Sequence, residues 1–85
     1  MDKEGTIPPR ASPESAAYFR AALEELGEMQ STLARLMQRH GDDRQLSTIL
    51  RNIQRMALGE ARISGEMRVL LNYMLREKQR REGVR

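Results

Sequence analysis

With 85 residues the chain has room for one domain, and its charged residues, 15 Lys and Arg against 12 Asp and Glu, leave a net charge of +3. It has no Cys, no Trp and one His, which excludes a disulfide scaffold and a structural zinc site built within a single chain. The apolar content comes from Leu, Met, Ala and Ile, which keep most of their rotamer freedom in a helix and favour helices over strands.

The charge is unevenly spread. Met1 to Asp43 carries 5 Lys or Arg against 8 Asp or Glu, whereas Arg44 to Arg85 carries 10 against 4. An acidic half and a basic half attract one another across an antiparallel pair of helices, or the basic half faces an anionic partner.

Residues 1–11, with Gly5, Pro8 and Pro9 and no periodicity, read as a flexible leader. Ser12-Pro13-Glu14 is a helix start: a capping hydroxyl, a proline where a missing N–H costs nothing, and a carboxylate at the positive end of the dipole. Phe19, Ala22, Leu26, Met29, Leu33 and Leu36 come next in steps of three and four, with Leu23 and Met37 widening the stripe. This spacing predicts one helix over about 13–40, roughly 42 Å long, with a heptad-like seam. Gly27 falls inside it, at a cost of about 1 kcal/mol relative to Ala.

His40-Gly41-Asp42-Asp43 is the clearest turn, with Gly41 at the helix end and Asp42 or Asp43 placed to cap the next helix. So short a turn folds that helix back on the first. The second apolar series runs Leu46, Ile49, Leu50, Ile53, Met56, Ala57, then Ile63, Met67, Leu70, Leu71 and Met74 in the same phase. Unbroken phase fits a single helix. Gly59, Gly65, Glu60 on the seam and the fresh start at Ser64 and Glu66 favour two, over about 43–58 and 64–82. Cations crowd the end, where they complement the dipole, and 83–85 form a short tail.

The stretch Leu50-x-x-Ile53-x-x-Met56-Ala57 followed by Ser64-Gly65-Glu66-Met67-Arg68-x-Leu70-Leu71 resembles the two helices of ribbon-helix-helix repressors. That family reads DNA with a strand directly before its first helix. Here Arg39-His40-Gly41-Asp42-Asp43 stands in that place, so the resemblance carries over no DNA-reading residues.

No constellation for catalysis is visible. His40 has no partner nearby and reads as a helix-end residue, Glu24, Glu25 and Glu28 lie on a polar face, and no glycine-rich loop could cradle a phosphate. The chain therefore reads as a non-enzyme with no catalytic residues, metal, cofactor or small-molecule substrate. The predicted fold is all-α, a single domain over 12–82. It forms an antiparallel helical hairpin or three-helix arrangement with coiled-coil-like packing, dimerising into a bundle. Without a signal-peptide core or membrane-length apolar run, the expected location is cytoplasmic.

The expected function is protein–protein interaction, as an adaptor, chaperone or inhibitor-like regulator. A partner, or a second copy in a homodimer, would bind Phe19, Leu26, Met29, Leu33, Leu36, Ile53, Met67, Leu70 and Met74. The alternative is a small DNA- or RNA-binding transcriptional regulator. Arg44, Arg51, Arg55 and Arg62 fall at spacings of 7, 4 and 7 on one helical face, and Arg76, Lys78, Arg80 and Arg81 lie beyond them. Docking of 64–82 on a membrane surface is disfavoured, because Glu66, Glu77 and Glu82 interrupt its cations and Trp is absent.

Overall fold

A computed structural model of the chain describes residues 7–83. Among them are four helices: α1 (Pro13–Leu26), α2 (Gln30–Arg39), α3 (Leu46–Leu58) and α4 (Gly65–Gly83). The all-α class is as predicted. The first helix is not: the expected 13–40 helix is divided into α1 and α2.

The division has a local cause. Gly27 adopts a left-handed conformation (φ 70°, ψ 26°), which lacks a steric penalty only for glycine. Its N–H donates to the Glu24 carbonyl at 3.1 Å, and the Glu28 N–H donates to the Leu23 carbonyl at 2.9 Å, the paired bonds of a Schellman ending. Two residues later the Thr32 hydroxyl accepts from the Met29 N–H at 3.0 Å and opens α2. An ending and a beginning stand side by side, and continuous apolar phase cannot override both. The seam expected through 13–40 is thereby dissolved, and Met29, at its supposed centre, is 66% exposed.

The start of α1 is built as its residues predict. Ser12 Oγ accepts from the Ser15 N–H, and Ser15 Oγ accepts from the Ser12 N–H, both at 3.0 Å. The same Ser15 hydroxyl donates to the Ser12 carbonyl, which leaves this fully buried polar side chain satisfied.

Asp42 and Asp43 do not cap α3. The helix begins later, at Leu46, behind Gln45 with no side-chain cap, because Asp42 is taken by Arg44. Ser64 caps α4 through its hydroxyl, which accepts from the Met67 N–H at 3.3 Å. The end of the expected flexible leader is held down. Ile7 is 3% exposed, packed into the core, and the Arg68 guanidinium donates to its carbonyl at 3.2 Å and to that of Pro8 at 3.4 Å. The rest of the leader, 1–6, and residues 84–85 of the tail lie outside the described residues.

The core is one cluster. Phe19, Ala22 and Leu23 of α1 meet Ile49, Ile53, Met56 and Ala57 of α3, with Leu33 and Ala34 from α2 and Met67 and Leu71 from α4. Ile63, in the α3–α4 connection, is buried among them. The principal packing runs α2 on α3, α3 on α1 and α1 on α4. Two arginines tie this order. Arg20 of α1 donates from Nη1 to the Ala57 carbonyl at 2.5 Å, placing a cation on the negative end of α3. Arg68 of α4 holds the segment before α1.

Among the described glycines the closest approach is at Gly59, which ends α3 with φ 77°. A Cβ there would lie 2.8 Å from the Ser12 carbonyl oxygen and 3.3 Å from Ala16 Cβ, whereas at Gly27 it would meet nothing within 4 Å. Both positions carry the left-handed strain, but only one adds a clash with backbone. Gly59→Ala should therefore lower unfolding free energy by about 3 kcal/mol and Gly27→Ala by about 1 kcal/mol, read from urea unfolding followed by circular dichroism. Equal losses would mean that the α1–α3 approach is not a constraint.

Candidate functional site: the groove between α2 and α4

α2 and α4 are not a principal packing pair, and residues of both line an open groove. Its apolar walls are Leu36 and Met37 of α2 and Leu70, Tyr73 and Met74 of α4. His40, the turn Gly41–Arg44 and Glu66 form its mouth at the N-terminal end of α4, and the volume is about 990 Å³. Leu36, Met37, Leu70 and Met74 are half-buried, and Tyr73 is 62% exposed. The walls are therefore apolar surface still in contact with water.

The spacing of residues on each helix explains the wall. Met67 and Leu71 point into the core, and Leu70 and Met74 lie at three residues' offset from them, on the groove side of the same helix. On α2, Leu33 and Ala34 face α3, and Leu36 and Met37 come one turn later beside the groove. Each outer helix thus has an apolar stripe wider than the body behind it covers.

The mouth is charged. Asp42 accepts from Arg44 Nε at 2.9 Å and Nη2 at 2.5 Å, and from its backbone N–H at 3.2 Å. These bonds hold the Asp42 carboxyl below its ordinary value of 3.8. The same pairing, helped by the nearby Glu66 and Asp43 carboxylates, raises the Arg44 guanidinium. With Asp42, Asp43 and Glu66 against Arg44 alone, the mouth is net acidic.

The residues singled out from sequence scatter over the fold. Phe19, Leu33, Ile53 and Met67 are buried in the core and do not form a surface. Leu26 packs half-buried against the core, and Met29 sits exposed in the α1–α2 break. Leu36, Leu70 and Met74 line the groove, joined by Arg44 from the predicted basic stripe and by Met37, Tyr73, Asp42, Asp43 and Glu66, which the sequence assigns to no site. Helical phase places Met37 beside the stripe but gives no sign that α2 and α4 flank a common groove.

The basic stripe is broken up. Arg51 and Arg55 share the exposed face of α3, and Arg55 donates to the Glu60 carbonyl at 3.4 Å. Arg44 lies in the turn before that helix, bound to Asp42, and Arg62 lies in the connection after it, so the four do not lie on one helix as their spacing predicts. On α4, Arg80 pairs with Glu77 at 2.6 Å and Lys78 pairs with Glu82, while Arg76 and Arg81 are exposed. Among the described residues no group of three or more His, Asp or Glu could hold a metal ion, no strand is present, and no helix is long and apolar enough to cross a membrane.

Comparison with protein-family models, with curated proteins and with solved structures returned no match.

The Asp42–Arg44 pair makes a pH-dependent prediction. A carboxyl with a depressed folded-state pKa contributes stability above its unfolded value and loses it as pH falls through the depressed one. The Asp42 carboxyl should titrate below 3.8 by carbon-detected NMR and return to the ordinary range in Arg44→Ala. An unchanged midpoint in the variant would mean the pair is not formed in solution.

Proposed function

We propose that this protein is a non-enzymatic protein–protein interaction module whose α2–α4 groove receives an amphipathic helix. The groove itself carries the reading: Leu36, Met37, Leu70, Tyr73 and Met74 form an apolar trough between two helices, open on one side. An incoming helix fits because its apolar stripe, spaced three and four residues apart, matches a trough bounded by helices. Met37 and Met74 have three rotatable bonds each and can adapt to the knobs they receive. The mouth adds direction. Three carboxylates against one guanidinium favour a helix with cations where it passes Asp42, Asp43 and Glu66.

Nucleic-acid binding draws less support from this arrangement. A face that tracks a phosphate backbone needs its cations aligned, and the arginines that spacing placed together are divided among a turn, a helix and a connection.

Methyl NMR tests the proposal. A model helical peptide with a leucine stripe and arginine at its C-terminal end should shift the Met37 and Met74 methyl signals, with Met56 and Met67 unmoved in the core, at about 10–100 µM peptide. Leu36→Asp, at a half-buried position on the groove wall, should weaken binding about tenfold or more. No shift at millimolar peptide, from a chain that sedimentation shows to be monomeric, would overturn the reading, as would tight, steeply salt-dependent binding of a random DNA duplex.

A further inference from the structure

We infer that the helix received by the groove is α4 of a second copy, laid antiparallel to the first across a two-fold axis near Tyr73 and Met74. This inference rests on the groove being a helix-docking site and names its occupant.

The order of residues along α4 points to this occupant. Glu66, Leu70, Tyr73, Met74, Glu77 and Arg81 fall on one side of the helix at spacings of 4, 3, 1, 3 and 4. Those spacings are symmetric about the midpoint of Tyr73 and Met74, although the residue types are not. Reversed about that midpoint, the positions map onto one another: Glu66 falls opposite Arg81 of the second copy, Leu70 opposite Glu77, and Tyr73 opposite Met74. Any helix paired antiparallel with its own copy repeats each contact twice; what is particular to α4 is that this register sets Glu66 against Arg81 at both ends.

The charges have the same symmetry. The acidic mouth, with Asp42, Asp43 and Glu66, lies at the N-terminal end of α4, and the exposed Arg76 and Arg81 lie towards the other end. Glu66 and Arg81 are separated by about 22 Å along the helix axis, so antiparallel pairing brings opposite charges together at both ends. A parallel pair would set like charges side by side. Antiparallel helices also align their dipoles favourably. Glu77 is already paired with Arg80 on its own helix, which leaves the aliphatic part of its side chain to meet Leu70.

Placed this way, α4 of each copy lies between α2 and α4 of the other. The assembly is then a four-helix layer of two α2 and two α4 helices, closing both grooves together. Tyr73, the large side chain at its centre, is 62% exposed, whereas the other apolar wall residues are half-buried. A mostly exposed tyrosine between Leu70 and Met74 keeps its apolar ring in water in a monomer and is suited to the centre of an interface.

Sedimentation velocity on the full chain tests the assignment. The expected result is a dimer at about 10–100 µM protein. Tyr73→Lys replaces an exposed side chain, so helicity should be retained while dimerisation weakens about a hundredfold. Glu66→Arg and Arg81→Glu should each weaken it about tenfold, and the double variant should restore it, because each new cation then faces a new carboxylate across the axis. A chain that stays monomeric at about 1 mM overturns the inference, as does a dimer indifferent to Tyr73→Lys or a double variant no better than the single ones. If such a monomer still binds the model peptide through Met37 and Met74, the second copy is overturned as occupant while the interaction reading stands. If it binds neither, both fall.

Discussion

The left-handed turn at Gly27 is the constraint on which the packing of all four helices depends. Its ending bonds close on Glu24 and Leu23, and the chain restarts at Met29, whose N–H is held by Thr32. Had the helix continued, the apolar positions from Phe19 to Leu36 would have formed one straight stripe about 25 Å long. Such a stripe is longer than the 13-residue α3 could cover. Breaking it lets α1 and α2 each pack on α3 at their own angle, and Leu33 and Ala34 become as buried as Phe19.

The break also determines what stays uncovered. Once α2 has turned to one side of α3, and α4 has packed on α1, no further helix among the described residues fills the space between the outer pair. Leu70 and Met74 stand on the same helix as the fully buried Met67 and Leu71, so burial changes abruptly from one residue to the next. Arg20 on the Ala57 carbonyl and Arg68 on the Ile7 and Pro8 carbonyls hold the ends of this arrangement. Both are charge-assisted bonds to backbone, which constrain segment positions more firmly than exposed ion pairs do.

Legibility in the sequence tracks the range of the interaction involved. Ser12-Pro13 and Ser64 are readable because a cap acts within one turn of helix, and the apolar steps through Ile49, Ile53, Met56 and Ala57 are readable because one face of α3 is buried. Gly27 misleads because a glycine inside a helix and one ending it share the same flanking apolar phase. The distinguishing signal is Thr32, placed to bond the Met29 N–H, and its weight is small beside a regular stripe. Asp42 misleads for a related reason: a carboxylate in a turn can cap the next helix or bind the next arginine, and Arg44 two residues away prevails. The groove has no local signature, since the gathering of Met37, Tyr73 and Met74 around one trough arises only from the packing of four helices.

The charge asymmetry between the two halves takes a different meaning in three dimensions. Along the chain, it implies either two helices attracting each other or a basic surface facing an anion. In the fold, the acidic turn Asp42–Asp43 from the first half meets Glu66 from the second, gathering like charge where sequence alone implies opposite charge. The Asp43 and Glu66 carboxylates both raise the Arg44 guanidinium, whose bonds hold Asp42, so one cation serves three carboxylates. Cations brought from outside would balance the carboxylates that Arg44 leaves over. At the far end of α4, Lys78 and Arg80 are engaged by Glu82 and Glu77 on their own helix, while Arg76 and Arg81 stay exposed. The helix therefore has an electrostatic polarity as well as an apolar face, and both must be matched by whatever lies against it. A partner that covered Leu70, Tyr73 and Met74 without bringing cations to the mouth would bury the apolar area and leave the net negative charge there unbalanced.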